Sequence, residues 1–312
     1  MKKIVTLTLS PSLDNTSETE RVYPRGKLRC KTPKLEAGGG GINVARVITR
    51  LGGEATAVYP SGGATGEYLT NLLKADKVIV KPVTCNTWTR QNLNVTTTCD
   101  SQQYRFVMPG SPISADELKK IERCIFDQNP DYLVISGSLP ENLDSKFVVS
   151  LVNEAKKKNI EIILDCSGQS LIDALNCGGL LLAKPNSKEL ATVRGAHYLR
   201  AGDLEREARH LVESGKCKIA LISLGAQGAL LVTKDVCEQI IPPKVVTNST
   251  VGAGDSLVAA MVLSLARACS IREAARMGVA AGTAATMNSG TELCYRSDVD
   301  HLYESILLRC PI

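Results

Sequence analysis

Histidine is nearly missing from this chain: His197, His210 and His301 are the only three in 312 residues. They cannot form an H-E-x-x-H zinc signature, and a histidine-based triad would have to use one of three positions that nothing else marks out. Cysteine is frequent, yet none of the eleven stands in a C-x-x-C pair. That excludes the common zinc and thiol-redox motifs and leaves cysteine as a small buried apolar residue. Aromatic residues make up 4%, and the net charge of +5 comes from 37 Lys and Arg against 32 Asp and Glu without any basic block. Nucleic acid is therefore not an expected partner, whereas an anionic small molecule remains open. No apolar run approaches the ~18 residues of a spanning helix. Met1-Lys2-Lys3 leads directly into the strand-like Ile4-Val5-Thr6-Leu7, with no signal-peptide core. A cytoplasmic location away from membranes is expected.

Short apolar runs alternate with helical periodicity along almost the whole chain. Ile4 to Leu9, Ala55 to Tyr59, Tyr132 to Ser136, Ile160 to Asp165, Leu180 to Ala183 and Ile219 to Ser223 read as buried strands, and Ile42 to Leu51 as a helix. Such alternation predicts an α/β fold, a mainly parallel sheet covered on both faces. Two stretches break the rhythm, about 11–35 and 85–108. The second reads as a hairpin, Leu93 to Thr98 and Tyr104 to Val107 around Asp100-Ser101. Together they predict a small projecting β-sheet lid, discontinuous in sequence, on one domain spanning 1–312.

Three glycine-bearing or polar segments open helices. Ser249-Thr250-Val251-Gly252-Ala253-Gly254-Asp255-Ser256 precedes a strongly apolar helix. Bare backbone and the free first-turn amides of a helix favour an anion, and an ionised Asp255 there can accept a proton. The alternative is that Asp255 is only an N-cap. Gly38-Gly39-Gly40-Gly41-Ile42-Asn43 is neither a Walker A motif nor a G-x-G-x-x-G fingerprint, and fits either a ligand approaching bare backbone or a flexible loop. Lys184-Pro185-Asn186-Ser187-Lys188-Glu189 reads as a capping box or as a site for hydrated Mg²⁺, which takes few carboxylates and several waters. Ser223-Leu224-Gly225-Ala226-Gln227-Gly228 ends a strand in a glycine turn, where α/β sheets bind ligands. The lid carries Lys27, Arg29, Arg90 and Arg105, which would suit a phosphate if they converge.

In order and number these motifs resemble the ribokinase-like family of carbohydrate kinases, in its phosphosugar branch. The resemblance also takes in Thr6 to Asp14, Gly26 to Cys30, Gly62 to Glu67, Trp88 to Asn92, Tyr104 to Gly110 and Val134 to Pro140. It implies a three-layer α/β/α sandwich and ATP-dependent phosphorylation of a primary hydroxyl on a ketohexose phosphate. Asp255 would be the general base, with Gly252, Ala253 and Gly254 forming the anion hole. Asp14, Gly39 and Asn43 would hold sugar hydroxyls. Lys27, Arg90, Arg105 and Ser138 would surround the sugar phosphate, Lys27 in a partner subunit's site. Lys184, Asn186, Ser223, Gly225 and Gly228 would bind ATP, and Glu189 would hold Mg²⁺ through water. Ser249, Val251, Ala285, Asn288 and Gly290 match a monovalent cation site for K⁺, and Glu292 stands where near relatives carry Arg.

Gly40 occupies the lysine position of the G-G-K-G motif seen in 1-phosphofructokinases and tagatose-6-phosphate kinases. That favours the 6-phosphofructokinase branch, acting on fructose 6-phosphate in glycolysis, over those two. An NAD(P) oxidoreductase lacks its fingerprint after the first strand. A non-catalytic sugar-phosphate or nucleotide sensor would not need Asp255. An exposed lid edge would call for a partner, so a homodimer through the lid is expected.

Overall fold

The computed structural model describes residues 2–200, 202–288 and 290–309; Met1, Ala201, Ser289 and 310–312, part of the expected 1–312 span, lie outside the described residues. Its first half runs β1 (Ile4–Leu7), β2 (Ser12–Thr19), β3 (Lys34–Gly38), α1 (Gly40–Arg50), β4 (Ala55–Ser61), α2 (Gly63–Ala75), β5 (Ile79–Thr84), β6 (Arg90–Thr97), β7 (Gln103–Phe106), α3 (Ala115–Asp127), β8 (Tyr132–Ser136) and α4 (Lys146–Lys157). The second half runs β9 (Glu161–Asp165), α5 (Gly168–Cys177), β10 (Leu180–Ala183), α6 (Ser187–Val193), α7 (Asp203–Glu213), β11 (Cys217–Ser223), β12 (Ala229–Val232), β13 (Cys237–Ile240), α8 (Ala253–Ala266), α9 (Ile271–Thr286) and α10 (Arg296–Arg309).

Nine strands form one sheet in the order β13-β12-β11-β10-β9-β8-β1-β4-β5. From β11 to β5 every neighbour is parallel, while β11, β12 and β13 form an antiparallel meander at the edge. The apolar runs have two duties, because successive side chains point to opposite faces. Tyr132, Val134, Ile163, Ile219 and Leu221 pack into a core with α1 and α8 to α10. Val5, Leu7, Leu133, Ile135, Ile162 and Ile222 pack into a second core with α3 to α5. Each large side chain so buried contributes about 1.5–3 kcal/mol. Helix α8 lies deepest, buried from Ser256 to Leu263 almost without interruption, which fixes where its first turn falls.

β1 is flanked by β4 on one side and β8 on the other, so the strand order reverses there. Doubly wound sheets open a crevice beyond the carboxyl ends of the strands at such a reversal. The start of α1 sits in it. A Cβ on Gly41 would lie 2.5 Å from the Leu7 carbonyl at the end of β1, and one on Gly40 would lie 2.4 Å from Ser136 Oγ at the end of β8. The glycine run is thus demanded by helix-to-strand packing, a reason that neither a ligand nor a flexible loop supplies.

The two irregular stretches build a four-stranded sheet, β3-β2-β6-β7. The hairpin expected around Asp100-Ser101 is β6–β7, with Leu93 opposite Phe106. Pairing Asp14 with both Asn92 and Glu36 puts Ser12, Asp14, Thr16, Arg90, Asn92, Asn94, Arg105, Lys34 and Glu36 on one face of this lid. No helix among the described residues is long and apolar enough to cross a membrane.

Candidate active site

The carboxyl ends of β8, β9 and β10 meet the start of α8 in a cleft of about 270 Å³. Ser136, Ser138, Asp165, Ser167, Lys184, Glu189, Gly252, Gly254 and Asp255 line it. Helix α8 starts from Gly252, which is in the left-handed region (φ 73°) and caps with no side chain. The amides of the first turn therefore face the cleft without intrahelical partners. Asp255 is not the N-cap: it stands in the third helical position, and its Oδ2 accepts from Asn43 Nδ2 at 2.8 Å. Nor does the helix start simply keep it ionised. Burial and the charge on Asp165 push its carboxyl up to about 7, against the opposing pull of Asn43 and Lys184.

Lys184 Nζ lies 3.0 Å from Asp165 Oδ1 in a buried ion pair, and Ser136 Oγ donates to Asp165 Oδ2 at 3.3 Å. Burial pulls the Lys184 ammonium down, and Asp165, with Glu189 and Asp255 behind it, more than restores it. Sequence reading missed Asp165, Ser136 and Ser167. Asp165 and Ser136 are the last residues of strands recognised from their apolar runs, and the carboxyl end of a parallel strand was the available signal.

The capping box is real. Asn186 Oδ1 accepts from the Lys188 and Glu189 amides, each at 2.9 Å, and Glu189 Oε2 accepts from the Asn186 amide at 2.8 Å. Glu189 still borders the cleft. Asn186 bridges to Ser223, and the Ser223 amide donates to the Pro185 carbonyl, so Lys184, Asn186, Ser223 and Gly225 follow one edge of the sheet. Gly228 has a packing reason: a Cβ there would fall 1.9 Å from the Ile240 carbonyl.

Asp14, in lid strand β2, is buried and accepts from Ser12 Oγ at 2.7 Å and Asn92 Nδ2 at 2.8 Å. Gly39 is the N-cap of α1. Arg90 donates to the Met108 carbonyl at 2.6 Å and the Ser10 carbonyl at 3.1 Å, and burial lowers its pKa. Its Nε is buried without a partner, as are Ser10 Oγ, Thr16 Oγ1 and Asn94 Oδ1. Unpaired buried polar atoms are costly, and these fall at two places on the lid face, Arg90 at one end and Thr16 opposite Asn94 four residues further along.

The four lid cations do not converge. Arg105 faces Asn94, four residues or roughly 13 Å along the strand from Arg90. It borders a small recess with Thr16, Asn94, Val251, Gly290 and Thr291. Lys27 and Arg29 lie exposed between β2 and β3. Around the expected cation site, Ser249 Oγ donates to the Gly290 carbonyl at 2.7 Å, Val251 N donates to Ser249 Oγ at 3.2 Å, and Asn288 N donates to the Ala285 carbonyl at 3.3 Å. These five positions are neighbours.

This combination of sandwich, sheet lid and helix-start cleft is the ribokinase-like class of kinase fold. The chain belongs to the pfkB family of carbohydrate kinases, whose family model matches residues 2–298. It is 48% identical over 304 residues, 97% of this chain and 98% of the other, to the ATP-dependent 6-phosphofructokinase isozyme 2 of Escherichia coli strain K12. The crystal structure of phosphofructokinase-2 from Escherichia coli in complex with fructose-6-phosphate superposes with a TM-score of 0.93 at 46% identity, covering 98% of this chain and 99% of that one. The structure of that enzyme in complex with potassium gives a TM-score of 0.95 at 48% identity, with the same coverage of both chains.

Proposed function

We propose that this protein transfers the γ-phosphoryl group of ATP to the free primary hydroxyl of fructose 6-phosphate. The observation that carries the proposal is Asp255, half-buried at the start of α8 where it lines the cleft, held by Asn43 and with its pKa raised to about 7. Asp255 takes the hydroxyl proton as the oxygen attacks phosphorus. The amides of Gly252, Ala253 and Gly254 face the negative charge on the transferring group, since a loose phosphoryl-transfer transition state needs positioning and charge compensation more than a strong base. Asp14, Gly39 and Asn43 orient the sugar, and Arg90 and Ser138 meet its phosphate. Lys184, Asn186, Ser223 and Gly225 flank the nucleotide.

No group of three or more His, Cys, Asp or Glu able to hold a metal exists among the described residues. This suits Mg²⁺, which keeps its waters and takes one or two carboxylates plus phosphate oxygens. Glu189 and Asp165 would hold it, and it would supply neutralisation of phosphate charge. The carbonyls around Ser249, Val251, Ala285, Asn288 and Gly290 are offered for K⁺.

Gly40 supports fructose 6-phosphate over fructose 1-phosphate and tagatose 6-phosphate, because those branches carry lysine at this position, and even a Cβ here would meet the Ser136 side chain and the Gly137 amide. Leu93 and Phe106, opposite each other on the lid's outer face and both exposed, support pairing of two copies through the lid. A coupled ADP-release assay with the three sugar phosphates tests the assignment. Fructose 6-phosphate is expected to give the highest kcat/KM; preference for either competitor overturns the substrate, and no turnover with any of them overturns the kinase.

A further inference from the structure

One charged cluster joins the lid to the core and has no part in the roles above. Glu36, in β3, is buried directly opposite Asp14 across the β2–β3 ladder, on the same face. Carboxylates at facing cross-strand positions repel. Relief for Glu36 comes from two other directions. Lys34 brings Nζ to 3.2 Å from Glu36 Oε1, and Thr291 Oγ1 donates to Glu36 Oε2 at 2.5 Å. The same ammonium reaches Glu292 Oε1 at 3.3 Å, where the Tyr295 hydroxyl also donates at 2.8 Å. Burial pulls the Lys34 ammonium down, and Glu36 and Glu292 more than restore it.

Thr291 and Glu292 lie between α9 and α10, next to the start of α8. In this segment the Gly290 carbonyl accepts from Ser249 Oγ, and Leu293 packs on Gly252 so closely that a Cβ there would come within 2.6 Å of it. A continuous set of contacts therefore runs from the lid strand to the anion hole. At its centre, one cation holds a carboxylate from each side.

We propose that Lys34 is a positioning residue which, by bridging Glu36 of the lid to Glu292 behind the anion hole, keeps Asp14 and the acceptor in register with Asp255. The inference rests on the kinase reading above. Glu292→Gln opens the core end of the bridge alone, and Lys34→Met opens both ends. Because Lys34 is 59% exposed on its side chain, solvent screens the pair. Glu292→Gln should therefore raise the acceptor KM only about two- to fivefold, leaving the ATP KM within about twofold. Lys34→Met leaves Glu36 beside Asp14 with only the Thr291 hydroxyl and should raise the acceptor KM about tenfold or more. A lid out of register admits water, so ATP hydrolysed per sugar phosphorylated should rise in both variants, and Glu292→Asp should restore coupling.

Amide exchange over 34–38 in the ligand-free protein should accelerate in both variants, at unchanged melting temperature for Glu292→Gln. Unchanged acceptor KM, coupling ratio and exchange in folded Glu292→Gln, or equal increases in both KM values, would overturn the bridge. If the wild type phosphorylates no sugar phosphate, the kinase reading fails by itself, and exchange at β3 still decides for or against the bridge.

Discussion

Replacing Asp255 with Asn should slow the chemistry sharply and stabilise the fold, by an amount that depends on pH. The carboxyl is half-buried at the cleft and its pKa rises from 3.8 to about 7. A folded-state pKa above the unfolded value means that the native protein binds more protons than the unfolded chain between those limits. Stability therefore falls as pH rises through that window and levels off above about 7. A shift of about three units corresponds to roughly 4 kcal/mol on the plateau. This is an upper value, because the Asn variant also leaves Lys184 with one charged neighbour fewer. For a chain of this length, that is a melting shift of up to roughly 6 °C. Thermal unfolding of ligand-free wild type and Asp255→Asn from pH 4 to 8.5 should give curves that meet near the acid end and separate towards neutrality. In parallel, kcat should fall about 10²-fold or more in the variant. Wild-type kcat/KM should drop tenfold per pH unit below about 7. Parallel melting curves across the range would refute the near-neutral carboxylate, and turnover near wild type would refute its role as base.

Two further outcomes follow from the lid and the crevice. Arg90→Ala removes the side chain that ties Ser10 to Met108, and should raise the sugar-phosphate KM roughly tenfold or more while the ATP KM stays within about twofold; equal losses on both would contradict its place. Gly40→Ala forces a Cβ against Ser136 and the Gly137 amide, and should cost about 1–3 kcal/mol in urea unfolding while weakening the acceptor more than ATP; an unaffected midpoint would show that the packing yields.

β1, β4 and β8 to β11 were legible because they are apolar runs of four to seven residues whose burial leaves them no other place, whereas β5, exposed at four of its six residues and carrying Lys81 and Pro82, was not read. The presence of the lid was legible from the opposite sign, polar β-branched stretches that no core could absorb, but its first limit was not, because β3 runs from Lys34 to Gly38, past the expected end at 35. The meander β12–β13 was less so: Cys237 to Ile240 is an edge strand with Cys237 and Glu238 half-buried and Gln239 exposed. Asp165 escaped notice because its meaning depends on β9 and β10 lying side by side, which brings it to Lys184 nineteen positions later in the chain. The Lys34, Glu36 and Glu292 cluster depends on a contact over about 258 residues, which no local pattern records. The glycine run was recognised as special, but its cause is a helix resting on two strand ends.

A helix start ought to hold a carboxylate ionised, and the size of the competing effects decides why it fails to do so at Asp255. Macrodipole stabilisation of an anion in the first turn is worth about 0.3–1 kcal/mol, less than one pKa unit. Burial and Asp165 act the other way and win by about three units in the net. Lys184 cannot reverse this, since its ammonium is already paired with Asp165. The outcome is a carboxylate that exchanges its proton near neutrality, the range imidazole normally serves. In a chain with three histidines, none of which lines the cleft, the second carboxylate does the tuning that makes a base of the first.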